Sequence, residues 1–183
     1  GDFPKYLADV YTYIYAAGLQ SEQEMPRHVF KMDWGGRGFT SSAFFKSLYY
    51  GIPTVDKPTM NEMQINSPGY IKVNMNPQIG SIINFVVSQY HSNEQEISKK
   101  YRFLHKWVNR DRRVAKEEYH SVSIEKAARD LVDKLGYISW AKLEDASGKD
   151  LESMIQSILA YKRRLERLTK FQRKGLVTFV QVP

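Results

Sequence analysis

The sequence predicts an α/β chain: a small parallel βαβ layer over residues 1–90, then a mainly helical, basic half over 91–183 packed on it as a single compact unit. Three observations point there. Residues 33–56 read as strand, glycine turn, helix and strand, the order of a parallel unit whose crossover is a helix. From residue 92 onward, short β-branched runs give way to long periodic runs with helix caps. The charge shifts at the same place, from a net −2 over residues 1–98 to a net +9 over 99–174.

Each element follows from local residue chemistry. In "YLADVYTYIYAAG" (6–18), Val10, Tyr11, Tyr13, Ile14 and Tyr15 are strand-favouring types, while Tyr11, Ile14 and Tyr15 also fit one helical stripe; both readings stand. "LQSEQEMP" is a polar connection, and "RHVFKMDW" alternates as a short strand that ends at the glycines. Thr40 or Ser41 then caps a helix to Tyr50, since a hydroxyl there accepts a free backbone N–H. Gly51 supplies a left-handed stop and Pro53 forbids continuation, so "IPTVD" becomes a short buried strand.

"KPTMNEMQINSPG" reads as a turn-rich loop and "YIKVNM" as a strand. "PQIGSIINFVVSQYH" predicts a helix burying Ile79, Ile82, Ile83, Val86 and Val87, and Ser92 with Gln95 opens a second helix as a capping box. "SVSIEKAARDLVDKLG" is a further helix, capped by Ser121 or Ser123 and stopped at Gly136. A last long helix ends at Gly175, striped by Leu151, Met154, Ile155, Ile158, Leu159, Leu165 and Leu168, and "LVTFVQV" closes as a strand.

Composition excludes several function classes. With no cysteine, disulfides, zinc–thiolate sites and cysteine nucleophiles are ruled out, which fits the cytoplasm or another reducing compartment. No apolar run approaches the roughly 18 residues that span a bilayer, and "GDFPKYLADV" has no signal-peptide pattern. His28, His91, His105 and His120 lack metal-ligand spacing, no nucleophile has an identifiable base, and no cofactor is implied.

The stretch "WGGRGFTSSAFFKSLYYGIPTV" (34–55) is the first candidate site. A helix start after a glycine turn presents unpaired N–H groups and a positive dipole end, which suit phosphate. Gly35, Gly36 and Gly38 allow close backbone approach, Thr40 and Ser41 add hydroxyls, and Arg37 can grip phosphate bidentately. Neither a P-loop nor a dinucleotide fingerprint is present, and a plain glycine turn with a helix cap is the competing reading.

The order "GG…FTSSAFFKSLYYGIPTV…NEMQ" resembles the carboxy-terminal nucleotide-sugar domain of GT-B glycosyltransferases, over roughly residues 6–135. The resemblance implies a nucleoside diphosphate sugar as ligand, with Gly35, Gly36, Gly38, Thr40 and Ser41 on the diphosphate. It matches Gly51 and Pro53 to the family's Gly-x-Pro, and brings Glu62 or Gln64 towards the sugar. An enzyme of this kind would be glycosyltransferase-like. The chain departs from the pattern at Lys46 and Arg37, where the family carries acidic residues, and 183 residues leave no room for the family's amino-terminal acceptor domain.

The second candidate is the basic half, a surface for a polyanion such as nucleic acid. Lys162, Arg163, Arg164, Arg167, Lys170, Arg173 and Lys174 cluster at the end of the last long helix. "KYRFLHKWVNRDRR" interleaves cations with Tyr101, Phe103 and Trp107; cations neutralise phosphates and aromatics stack bases. The competing reading packs Phe103, Leu104 and Trp107 into the core and leaves the cations as solvated helix faces that complement a helix C-terminus.

Overall fold

The computed structural model describes residues 2–32, 34, 38–64, 70–110 and 121–175. Helix α1 (Phe3–Ala17) begins with Pro4 in its first turn, where a missing N–H costs nothing. Val10, Tyr11, Tyr13 and Ile14 are all buried, because α1 is packed by other helices on more than one side. Of the two readings left open for this segment, the helix is observed. Strand-favouring side chains do not make a strand where no partner strand offers its backbone groups.

Helix α2 (Gly38–Tyr50) and the hairpin of β1 (Thr59–Gln64) and β2 (Tyr70–Asn74) follow. Helix α3 (Pro77–Val108) is capped by Asn76, whose side chain accepts from the N–H groups of Gln78 and Ile79 at 3.0 and 3.4 Å. Helices α4 (Ser121–Leu135), α5 (Trp140–Ser147) and α6 (Leu151–Arg173) complete the described chain. Asp150 caps α6 through Glu152 and Ser153 N–H groups at 3.1 and 3.4 Å.

The predicted α/β class with a parallel βαβ layer is corrected: the described residues are mainly helical, with one two-stranded antiparallel sheet. "RHVFKMDW" does not form a strand. Arg27–Lys31 make a 3-10 turn that buries the adjacent Val29 and Phe30 together. "IPTVD" is not a buried strand either, since Thr54–Asp56 form a second 3-10 turn with Val55 88% exposed. That turn is held to α1 by polar groups: Tyr11 donates to the Asp56 carbonyl and Tyr15 to its carboxylate at 2.5 Å. Residues 59–64, expected as loop, supply β1, with Thr59 opposite Asn74 and Gln64 opposite Tyr70.

Further corrections concern caps. The two helices expected on either side of residue 91 are one continuous α3, and Ser92 donates to the Ser88 carbonyl inside it rather than capping anything. Helix α2 starts at Gly38, which places Thr40 and Ser41 within its first turns instead of at the cap. Gly51 is not left-handed; the positive-φ glycines are Gly136, Gly148 and Gly175. Helix α5 was not anticipated. The expected strand 176–182 lies outside the described residues.

The core is centred on α6. Every residue from Ser153 to Lys162 is buried, and α6 packs against all of the other five helices. Tyr161 stacks on Tyr13 of α1 at 4.5 Å and 13°, and Phe44 and Phe45 of α2 surround Tyr13. A helix buried on all faces must hydrogen-bond its polar side chains internally. Ser157 does so through the Met154 carbonyl at 2.7 Å and the Tyr13 hydroxyl at 3.3 Å. Gly18 locks the end of α1: Leu19 N–H donates to Tyr137, Ser139 N–H to Ala17, and a Cβ at Gly18 would stand 2.4 Å from the Ile14 carbonyl oxygen.

Leu159→Ala in the centre of α6 is expected to cost about 2–5 kcal/mol of stability, the range for truncating a fully buried leucine. Val55→Ala should stay within about 0.5 kcal/mol, as for an exposed site. Urea unfolding of the two variants checks both values.

Candidate nucleic-acid interface

The basic run of α6 leaves the core between neighbouring helices, and most of its cations meet partners there. Lys162 is almost fully buried, with Nζ 2.8 Å from Glu166 and 4.1 Å from the centre of the Tyr101 ring. Lys170 also reaches Glu166, at 3.2 Å. Burial pushes the Glu166 carboxyl up, but Lys162 and Lys170 together outweigh it and hold it below the usual range. Arg173 meets Glu94 of α3 at 2.6 Å and His91 Nδ1 at 3.1 Å; its hydrogen bond to Glu94 is the main reason that carboxyl is lowered.

Arg163 and Arg164 reach the start of α2. Arg163 donates to the Ser41 hydroxyl at 3.0 Å and to the Tyr101 hydroxyl at 3.2 Å, and Arg164 donates to the Ser42 hydroxyl at 3.2 Å. Two residue sets singled out separately in the sequence therefore meet in space. Arg164 Nε also lies 2.9 Å from Asp9 Oδ2 of α1, each side chain only 15% exposed, although neither atom makes an aligned hydrogen bond. Burial pushes the Asp9 carboxyl up to about 6, against the attraction of Arg164 and Lys5. Arg167 is exposed and has no carboxylate partner among the described residues.

Of the glycine-turn site, Gly35, Gly36 and Arg37 lie outside the described residues. Gly38 opens α2, Thr40 is half-buried and Ser41 is buried. Glu62 and Gln64 stand exposed on β1, Glu62 accepting from the Tyr70 hydroxyl across the hairpin. No hydrogen bond or ion pair among the described residues joins either of them to α2. Lys46 is exposed beside the Tyr50 ring, at 5.9 Å.

A concave surface lies elsewhere, between α3 and α4. Helices α3 and α4 run antiparallel, as the Lys100–Asp130 ion pair at 3.4 Å and the Phe85–Tyr137 ring contact at 5.1 Å fix at two levels. Their apolar stripes close the seam: Ile97 and Leu104 from α3, Ile124, Ala128 and Leu131 from α4. Above it opens a cleft of about 280 Å³ walled by Lys99, Lys100 and Phe103 on one side and Ser123, Lys126 and Asp130 on the other. Lys99 and Lys126 are exposed and make no ion pair among the described residues. Arg102 and Lys106 add exposed cations along α3.

Phe103 is 38% exposed in that wall. The reading that put it in the core with Leu104 and Trp107 is corrected. Neighbouring helical residues point about 100° apart, and it is Leu104 that faces inward. Trp107 is half-buried, with the Arg110 guanidinium 4.2 Å over its ring and paired to Glu152 at 3.7 Å. The interleaving of cations and aromatics around Phe103 was legible in sequence; Lys126 was not, because it comes from the facing helix.

Among the described residues no group of His, Asp or Glu could hold a metal ion, and no helix is long and apolar enough to cross a membrane. No protein-family model, curated protein or solved structure matches the chain.

The Asp9 environment gives a pH prediction. A carboxyl whose pKa is raised to about 6 on folding, from an ordinary 3.8, contributes stability that is fully present below the lower value and is lost as pH rises through the upper one. Asp9→Asn, which mimics the protonated form, removes that dependence. The stability of the wild type relative to Asp9→Asn should therefore be greater at pH about 4 than at pH about 7.5. Urea midpoints of both proteins at the two pH values check the sign.

Proposed function

We propose that the chain is a nucleic-acid-binding module whose phosphate-contacting surface is the α3–α4 face. The observation that carries this is the cleft between the two helices, which Lys99 and Lys126 line from opposite helices and where, among the described residues, Lys100 is the one of the three lysines paired with an acid. On α6, Lys162 and Lys170 share Glu166, Arg164 meets Asp9 and Arg173 meets Glu94, so those cations have less to offer a polyanion. Exposed lysines and arginines on one face release condensed counterions when they meet phosphates, and that release drives association.

Fluorescence polarisation with labelled oligonucleotides tests this. About three neutralised phosphates give a log–log salt slope near −2 on single strands. Lys99→Glu together with Lys126→Glu should weaken every sequence alike and flatten the slope, because phosphate contacts carry no sequence information. Absence of binding at low salt sinks the reading.

A second reading, a nucleoside diphosphate gripped at the start of α2, is favoured by one observation: Arg163 and Arg164 converge on Ser41 and Ser42. It predicts calorimetric heat with UDP, GDP or ADP that Arg163→Ala abolishes. Flat titrations with all three would remove it.

A further inference from the structure

We infer that the end of α2 and the 3-10 turn after it dock on an anionic lipid surface, with Tyr50 and Val55 entering the interface and Lys46 and Lys57 meeting the headgroup charges. The inference is independent of the nucleic-acid reading, since none of these residues lies on α3 or α4.

The segment is anchored at both ends and exposed between. Ile52 is buried just past the last turn of α2, and Tyr11 and Tyr15 of α1 hold Asp56 by its carbonyl and its carboxylate. Between these anchors Pro53, Thr54 and Val55 are all exposed, Val55 at 88%. Two backbone hydrogen bonds keep the turn tight, from Asp56 N–H to the Pro53 carbonyl at 2.9 Å and from Lys57 N–H to the Thr54 carbonyl at 3.3 Å. Lys57 then reaches back over α2, with Nζ 4.7 Å from the centre of the Tyr49 ring and 5.8 Å from that of Tyr50. Lys46, one turn before Tyr50 on α2, places its Nζ 5.9 Å from the same ring. Tyr50 is 67% exposed, and neither lysine beside it forms an ion pair among the described residues.

Charge and apolarity are sorted here in the way a bilayer interface completes. Asp56 is the one acid in residues 46–58, and its carboxylate is turned to the Tyr15 hydroxyl of α1 at 2.5 Å. The exposed side is left with two cations, a tyrosine and an aliphatic residue. An anionic leaflet attracts lysines that come within a Debye length of it. A tyrosine suits the headgroup level, where its ring meets apolar matter and its hydroxyl stays wet. A valine gains by leaving water for the acyl boundary. The chain's formal net charge of +7 favours the same partner. A nucleic acid has no use for Val55, which is the most exposed large hydrophobic residue described. A second copy of the chain would bring the same two lysines into the contact from both sides.

The experiment is co-sedimentation with two kinds of vesicle, phosphatidylcholine alone and an equal mixture of phosphatidylcholine and phosphatidylserine. The wild type is expected to bind the mixed vesicles, less tightly as salt rises, and to leave the phosphatidylcholine ones in suspension. Val55→Ser should weaken binding about 10-fold, for the apolar surface withdrawn from the interface. Lys46→Gln together with Lys57→Gln should weaken it about 30-fold. Val55→Trp, which enlarges the apolar group entering the interface, should tighten binding, a gain that no folding defect produces. Failure to bind the mixed vesicles, equal binding to both kinds, or binding that Val55→Ser leaves unchanged overturns the inference. Lysine changes that weaken oligonucleotide binding and leave vesicle binding intact also overturn it, and assign the patch to nucleic acid instead. None of these results bears on the α3–α4 surface, which is tested at Lys99 and Lys126.

Discussion

The enclosure of α6 is the constraint on which the rest of the structure depends. From Ser153 to Lys162 the helix has no exposed face, the other helices among the described residues pack around it, and its buried polar side chains turn to partners inside the protein, except the Tyr161 hydroxyl, which has none among the described residues. Ser153 bonds its own cap Asp150 at 3.0 Å, Thr169 bonds the Glu166 carbonyl at 2.8 Å, and Lys162 is held by Glu166 and Tyr101. The central stack of Tyr13 on Tyr161 couples α6 to α1, and α2 closes over it with Phe44 and Phe45. Burial of this kind also decides where the basic residues emerge. They leave the core in the crevices between helices, where acids from α1 and α3 are waiting.

That arrangement changes the meaning of the charge distribution. Along the sequence the acidic excess lies before residue 98 and the basic excess after it. In space the two are partly mixed: Asp9 from the first part meets Arg164, and Glu94 meets Arg173. A run of cations on one helix therefore says little about a polyanion surface until the acids of distant segments are placed. What matters is which cations remain after folding has used the acids. On α3 and α4, Lys99, Arg102, Lys106 and Lys126 make no ion pair among the described residues, and on α6 neither does Arg167.

Periodicity made the second half legible. The stripes of α3, α4 and α6 and the stop at Gly136 with its positive φ follow from residue types at helical spacing. The first half misled for a physical reason. Val29 and Phe30, or Ile52 and Val55, look like strand residues, but a strand is stable only beside another strand, and sequence pattern does not state whether one is available. Gly51 before Pro53 has the composition of a left-handed stop, yet its N–H simply bonds the Leu48 carbonyl at 3.0 Å, which ends the helix without positive φ. The site was half legible in the same sense. One wall lay in a contiguous stretch of α3, while the facing wall required the α3–α4 pairing, and the meeting of Arg163 with Ser41 spans more than a hundred residues of chain.

Helix-end electrostatics explain some of the leftover cations without any ligand, and they set aside the two that matter. Lys106 stands in the last turn of α3, where a cation offsets the negative end of the helix dipole. Lys99 is more than two turns from that end, beyond the reach of the effect, and Lys126 lies in the first half of α4, nearer the end that favours anions. Neither forms an ion pair among the described residues, and both line the cleft. The apolar seam beneath them does not require lysine at these positions, since Ile97, Leu104, Ile124 and Leu131 already fill it. Among the described residues, Asp130 is committed to Lys100, and Lys99 and Lys126 line the cleft without an ion pair.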